Sequence, residues 1–156
     1  MGASPEAGLP GAAAIPDELR VFVSYDRESD GDLYDLLTDQ LLAKRSSFRI
    51  SAHSLAQPPT DYLDEALREA IRGADELVVL CGEKSDASLR MATELRIAQE
   101  EQRPYVLVWG RRELMCTMPT SVRPADGMYS WTWEILQTQV QTAHRIARAA
   151  RRADGG

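Results

Sequence analysis

Glu94 is the residue whose type and position most invite chemistry. Ser88 is a suitable N-cap for the helix that follows it, and Glu94 then lies ~9 Å up the helix axis, one and a half turns in. From there its carboxylate can face a cleft above the first and third strands. The plainer reading is a solvated helix glutamate, paired with Arg90 four residues earlier or with Arg96 nearby. Ser24, Ser54, Ser85 and Ser88 are loop serines, yet none sits in a G-x-S-x-G elbow, and His53 would meet a serine only through tertiary structure. Neither G-x-G-x-x-G nor G-x-x-x-x-G-K-[ST] occurs. His53, His144, Cys81 and Cys116 share no ligand spacing, so no metal site is expected.

The elements that would position these residues alternate between strand and helix, the pattern of a parallel sheet covered on both faces. Arg20 to Ser24 reads as the first strand, followed by a polar loop from Tyr25 to Gly31. Leu33, Leu36, Leu37 and Leu41 then give an amphipathic helix. Phe48 to Ile50 is a short second strand, and a loop from Ala52 carries Pro58-Pro59. Asp61 can cap a second helix that Gly73 ends. The apolar run Leu77 to Leu80, closed by Cys81, fits a strand buried on both faces, and Cys81 fits a buried reduced thiol. A loop from Gly82 to Ala87 leads into the Ser88 to Gln102 helix. Pro104 to Trp109 is a fourth strand, residues 110–128 are irregular, a short fifth strand fits Met128 to Ser130, and a last helix runs from Thr132 to Ala149. Trp131 and Trp133 are expected to cover the sheet edge.

The expected fold class is therefore α/β, three layers around a central, mainly parallel five-stranded sheet. One domain spans 19–149, between a flexible leader (1–18) and a flexible tail (150–156). In such a sheet ligands bind beyond the carboxyl ends of the strands, near the point where strand order reverses. Three loops reach that place: Ser24–Gly31, Ala52–Asp61 and Gly82–Ser88.

A net charge of -6 over 156 residues argues against a general affinity for nucleic acid or an anionic membrane. Arg145, Arg148, Arg151 and Arg152 are read as charge favourably placed at a helix C-terminus, in preference to a nucleic-acid contact. No stretch approaches the ~20 apolar residues of a membrane span, and Met1 to Pro16 lacks the features of a signal peptide, so a cytoplasmic protein is expected.

Val21-Phe22-Val23-Ser24-Tyr25-Asp26 and Phe48-Arg49-Ile50-Ser51-Ala52-His53-Ser54 resemble the opening of the TIR-like domains of bacteria. Val79 to Ser85, then Ser88 and Glu94-Leu95-Arg96-Ile97-Ala98, resemble the segment that carries their essential glutamate. The likeness spans residues 20–145, and the Ser88-to-Glu94 spacing is its most specific element. It differs from the common pattern at Arg90, where an aromatic is usual, and at His53, where an aspartate is common.

This resemblance implies a flavodoxin-like fold and, in the stand-alone proteins of Thoeris-type antiphage systems, NAD consumed as a substrate to make a nucleotide signal, with no cofactor. Glu94 matches the glutamate needed for NAD cleavage. The implied nucleotide pocket is formed by Ser24, Tyr25 and Asp26, by His53 and Ser54, and by Gly82, Ser85 and Ser88. The implied partners are NAD or a related nucleotide, further copies of the same domain meeting through TIR surfaces that include the His53–Asp61 loop, and an effector that senses the product. A catalytically silent TIR-like assembly module is the alternative. A phosphoacceptor receiver shares the topology but wants an aspartate ending the third strand, where Leu80-Cys81-Gly82 stands, and a lysine after the fourth.

Overall fold

The computed structural model describes residues 18–54 and 61–155. Strand β3 (Glu76–Cys81) organises the molecule: all six of its residues are buried, the apolar run Leu77 to Cys81 as its composition requires and Glu76 with it. β1 (Leu19–Ser24) lies on one side of it and β4 (Tyr105–Trp109) on the other, with β2 (Phe48–His53) and the short β5 (Met128–Ser130) at the edges. The order is β2-β1-β3-β4-β5 and every pairing is parallel, with Val23 opposite Val78 and Val79 opposite Leu107. Strand order reverses between β1 and β3, which places the switch point beside Ser24 and Gly82.

Helices cover both faces, as the period-two alternation of the strands demands. Val21, Val23, Val78 and Leu80 pack against Leu33 and Leu37 of α1 (Arg27–Ala43), and against Trp133, Leu136 and Val140 of the last helix, α4 (Trp133–Gly155). The opposite face, with Phe22, Leu77 and Val79, is covered by Leu67 and Ile71 of α2 (Asp61–Arg72) and by Met91, Leu95 and Ile97 of α3 (Leu89–Glu100). This is the expected three-layer α/β architecture. No helix among the described residues is long and apolar enough to cross a membrane.

Several local expectations are corrected. The polar segment after β1 is helical from Arg27, because the Asp26 side chain caps the helix by accepting from the Glu28 N–H, with Glu28 and Asp30 favourably placed in its first turn. The helix kinks at Asp30 (φ -128, ψ 23). Leu36 is 47% exposed, since Leu33, Leu37 and Leu41 form the packed stripe and Leu36 lies about 100° round the helix from its centre. β2 continues through Ala52 and His53, which pair with Phe22 and Val23 across a register shift, so those residues belong to the sheet. α4 continues beyond Ala149 to Gly155. Trp133 is buried against Phe48 in the core, whereas Trp131 hydrogen-bonds Gln40 at the edge. The leader up to residue 17 and residues 55–60 of the second loop lie outside the described residues.

Candidate active site

α3 places Glu94 where the carboxyl end of β1 and the start of the second loop converge. Ser88 caps that helix by accepting from the Met91 N–H at 3.2 Å, so the register read from sequence holds. The Glu94 side chain faces the sheet and not solvent, with an exposure of 0%. Ser24, the last residue of β1, donates its hydroxyl to Glu94 Oε1 at 2.6 Å. Ser54, just beyond β2, donates to the same oxygen at 2.7 Å. Glu94 Oε2 is buried and has no hydrogen-bond partner. One carboxylate thus ties together three elements distant in sequence and keeps one oxygen uncommitted.

The serines are themselves fixed. The Ser54 hydroxyl accepts from the Tyr25 N–H at 3.0 Å, and its own N–H donates to the Val23 carbonyl at 3.0 Å. Ser24 points to the α3 side because strand alternation sends it the same way as Phe22. Burial raises the Glu94 pKa to about 7, against the two serine hydrogen bonds and the charge of Arg90, which favour the ionised form. Near neutrality the site therefore holds a carboxyl group divided between its two protonation states, as a residue that gives and takes a proton requires.

An aromatic group stands beside it. Tyr25 stacks on Tyr34 at 4.9 Å between ring centroids, and Tyr34 meets the His53 ring at 4.6 Å. The Tyr25 hydroxyl and His53 Nδ1 lie 3.2 Å apart. Burial, with the Arg27 charge, lowers the His53 pKa and keeps the imidazole neutral, although the Ser54 backbone bond acts the other way. Arg27 donates to the Ser54 carbonyl at 3.2 Å, so it braces the loop that carries the serine.

The other residues singled out by sequence hold the scaffold. Asp26 is the α1 cap. Ser85 accepts from the Gly82 N–H at 2.9 Å and closes the turn after β3. Gly82 is required because a Cβ there would collide with the buried Asp30 carboxylate. Arg111 holds Asp30 at 2.8 Å and Asp32 at 2.7 Å, clamping the segment after β4 onto the start of α1. Burial raises the Asp30 pKa against its Arg111 bond, while the separate Arg111 bond to Asp32 lowers the pKa of that carboxyl. Cys81 and Cys116 are both free and buried, and burial pushes the Cys81 thiol up to about 12. No group of three or more His, Cys, Asp or Glu able to hold a metal occurs among the described residues.

Sequence reasoning brought Glu94, Ser24, Ser54, Tyr25 and His53 to one end of the sheet, and the structure brings them together. It missed Tyr34, Arg27 and the Asp30–Arg111 clamp. Tyr34 carried a signal, since it follows Leu33 at the start of a helix that must pack beside the first loop. Arg111 carried none, because 81 residues separate it from Asp30.

A five-stranded parallel sheet in the order β2-β1-β3-β4-β5, with helices on both faces, is the flavodoxin-like class of α/β domain. A family model for "Thoeris protein ThsB, TIR-like domain" matches residues 22–113. The chain belongs to that family. Among solved structures, it is similar to the TIR domain of the Toll-related receptor TRR-2 from Hydra magnipapillata. The identity is 14%, with 82% of this chain and 97% of that one covered, at a TM-score of 0.51. A prokaryotic SEFIR domain is also similar, at 18% identity, 83% and 92% coverage and a TM-score of 0.47. A comparison with curated proteins finds no match.

Proposed function

We propose that this domain cleaves the nicotinamide–ribose bond of NAD within an antiphage defence system, with Glu94 as the catalytic residue. The observation that carries the proposal is a carboxyl group buried beyond the end of β1, held by two serine hydroxyls, with a pKa of about 7. Breaking the bond sends its electron pair out with neutral nicotinamide and leaves an oxocarbenium-like charge on the ribose. An ionised carboxylate stabilises that charge or holds the ribose hydroxyls. Water, a nucleophile elsewhere on the same ADP-ribose, or the nucleophile of a second small molecule then bonds to the ribose carbon and gives up its proton to the carboxylate or to solvent. The products are nicotinamide with ADP-ribose, or with a cyclic or conjugated derivative that a downstream effector senses. Ser24, Tyr25 and the aromatic pair Tyr34–His53 form the neighbouring wall for the nucleotide. Self-association through TIR surfaces completes the proposed assembly.

A second reading has its own observation. Glu94 is fully covered and joins β1, the second loop and α3, which is also what a structural tie in a silent assembly module looks like. Measuring nicotinamide release from NAD by the concentrated protein separates the two. The enzyme reading expects turnover that Glu94→Gln lowers by at least about 100-fold, as loss of a transition-state charge partner does. It also expects a rate that rises with pH through about 7, as the carboxyl ionises. Wild-type protein that releases no nicotinamide, or a variant as active as wild type, would leave the silent module standing.

A further inference from the structure

A groove of about 560 Å³ opens at the other end of the sheet, between the amino end of β1, the residues just before β3 and the outer turns of α4. Its floor includes Leu19 and Asp75, and its wall is His144, Arg145, Arg148, Arg151 and Arg152. The four arginines line one groove together. Arg20, Arg49, Arg68, Arg72, Arg96 and Arg111 each form an ion pair with a carboxylate. Among the described residues, no carboxylate lies within ion-pair distance of Arg145, Arg148, Arg151 or Arg152. The two acids that line the groove have arginine partners of their own, Asp75 with Arg20 at 3.2 Å and Glu18 with Arg49 at 3.7 Å, and Asp75 also faces His144. In a chain of net charge -6, such a concentration of uncompensated guanidinium groups is a local reversal of sign.

The helix dipole accounts for a basic residue in the last turn, and Arg152 is there. It does not account for Arg145, two turns earlier, or for a concave wall. Arg148 and Arg152 stand four residues apart, a like-charge spacing that weakens a helix in the absence of an anion. His144 Nδ1 is buried and unpartnered at the same wall.

We propose that this groove is a second binding site, for a small molecule carrying a di- or triphosphate, remote from Glu94. Residues three and four apart on a helix bring their side chains within ~5–6 Å of one another, so successive arginine pairs straddle successive phosphates. Arg145 to Arg152 covers ~10 Å of axis, the reach of a short polyphosphate. Guanidinium groups suit phosphate oxygens because their donors form a planar fork. The volume falls in the range of small-ligand sites, ~300–1,000 Å³. A nucleic-acid backbone fits less well, since a chain of net charge -6 offers a long polyanion no general affinity beyond this groove.

Isothermal titration of the full chain with inorganic triphosphate, at fixed ionic strength, tests the site, with sulfate and a single-stranded oligonucleotide as separate arms. Triphosphate is expected to bind at least ~10-fold more tightly than sulfate, as several adjacent charges act together. Arg148→Gln with Arg152→Gln is expected to weaken triphosphate at least ~10-fold without lowering the melting temperature, while Glu94→Gln leaves it unchanged. Burial lowers the His144 pKa, Asp75 acts against it, and Arg148 and Arg151 lower it further, so bound triphosphate, by offsetting the two arginines, is expected to move the His144 ring titration to higher pH. ATP binding more tightly than triphosphate would identify a nucleotide as the preferred form. Triphosphate no tighter than sulfate, affinity indifferent to the arginine substitutions, or an oligonucleotide that displaces triphosphate at equal phosphate concentration would each overturn the proposal.

Discussion

Glu94 and Glu76 are both completely buried, and they lie at opposite ends of the sheet in opposite circumstances. Glu94 stands beyond the carboxyl end of β1 and accepts two hydroxyl hydrogen bonds on one oxygen. Glu76 opens β3 at the amino end, and neither of its oxygens has a hydrogen-bond partner. Alternation along β3 turns it, with Val78 and Leu80, toward the face covered by α1 and α4. Burial raises both pKa values, but that of Glu94 reaches about 7 and that of Glu76 about 9, the latter pushed further by the neighbouring Asp75 charge. The contrast separates burial from readiness. A carboxyl group alone in the core is fixed as the neutral acid, whereas one given two donors is brought back to where both forms are populated.

The unpartnered glutamate is the larger liability. The unfolded chain ionises Glu76 near its ordinary value of 4.5, while the folded chain holds the proton until about pH 9. Between those limits the unfolded state binds fewer protons, so wild-type stability falls as pH rises. Glu76→Met, close in volume and without a charge, removes that slope. By about pH 7 the variant is expected to have gained about 3 kcal/mol over wild type relative to its standing at pH 4.5. Denaturant unfolding at several pH values measures this directly. A variant that is less stable throughout, or whose advantage does not grow with pH, would show that Glu76 is matched to its surroundings after all.

Glu94→Gln carries the same test to the partnered glutamate, with a smaller effect. Here the ionisation penalty accrues only from about pH 4.5 to about 7 and is then constant. The amide keeps an oxygen for Ser24 and Ser54, but it puts an N–H₂ where Oε2 now lacks a partner, which costs about 1 kcal/mol. The net gain is expected to be about 2 kcal/mol above pH 7 and near zero at about pH 5. A gain that continues to grow above about pH 8 would mean the two serines lower the Glu94 pKa far less than their short bonds imply.

The two glutamates also mark what the sequence made legible. Ser88 sets the helix register and every residue from Leu89 to Glu94 is helical, so local geometry brought Glu94 within reach of the cleft, while the family resemblance was needed to prefer it over a solvated helix glutamate. The apolar run that makes β3 central was equally plain. Glu76 drew no attention, since a glutamate at the edge of an apolar run reads as a solvated strand end. Its burial comes from helices that pack over it from remote parts of the chain. The helical start of α1 and the extension of β2 were missed for a related reason. Asp26 capping and the pairing of His53 with Val23 are decided by partners, not by the polarity of the segment. The basic groove is the clearest case, because α4 continues past Ala149 and only packing brings its arginines beside the amino end of β1.

The smallest effect divides the two serines that distinguish Glu94 from Glu76. Each donates one hydrogen bond that favours the ionised carboxylate, so Ser24→Ala and Ser54→Ala should each raise the Glu94 pKa, by about one unit or less. Carbon NMR of the Glu94 carboxyl reads that shift whether or not the protein turns over substrate. Stability should tell the serines apart. Ser24 has Glu94 as its side-chain partner, while the Ser54 hydroxyl also accepts the Tyr25 N–H. Replacing Ser54 therefore strands a buried backbone donor and is expected to cost about 1 kcal/mol more than replacing Ser24. Equal losses would mean that the Tyr25 N–H finds another acceptor. A pKa unmoved by either substitution would mean that exclusion from water alone sets the state of Glu94, and the difference between the two ends of the sheet would then lie in the depth of burial and not in the hydroxyls.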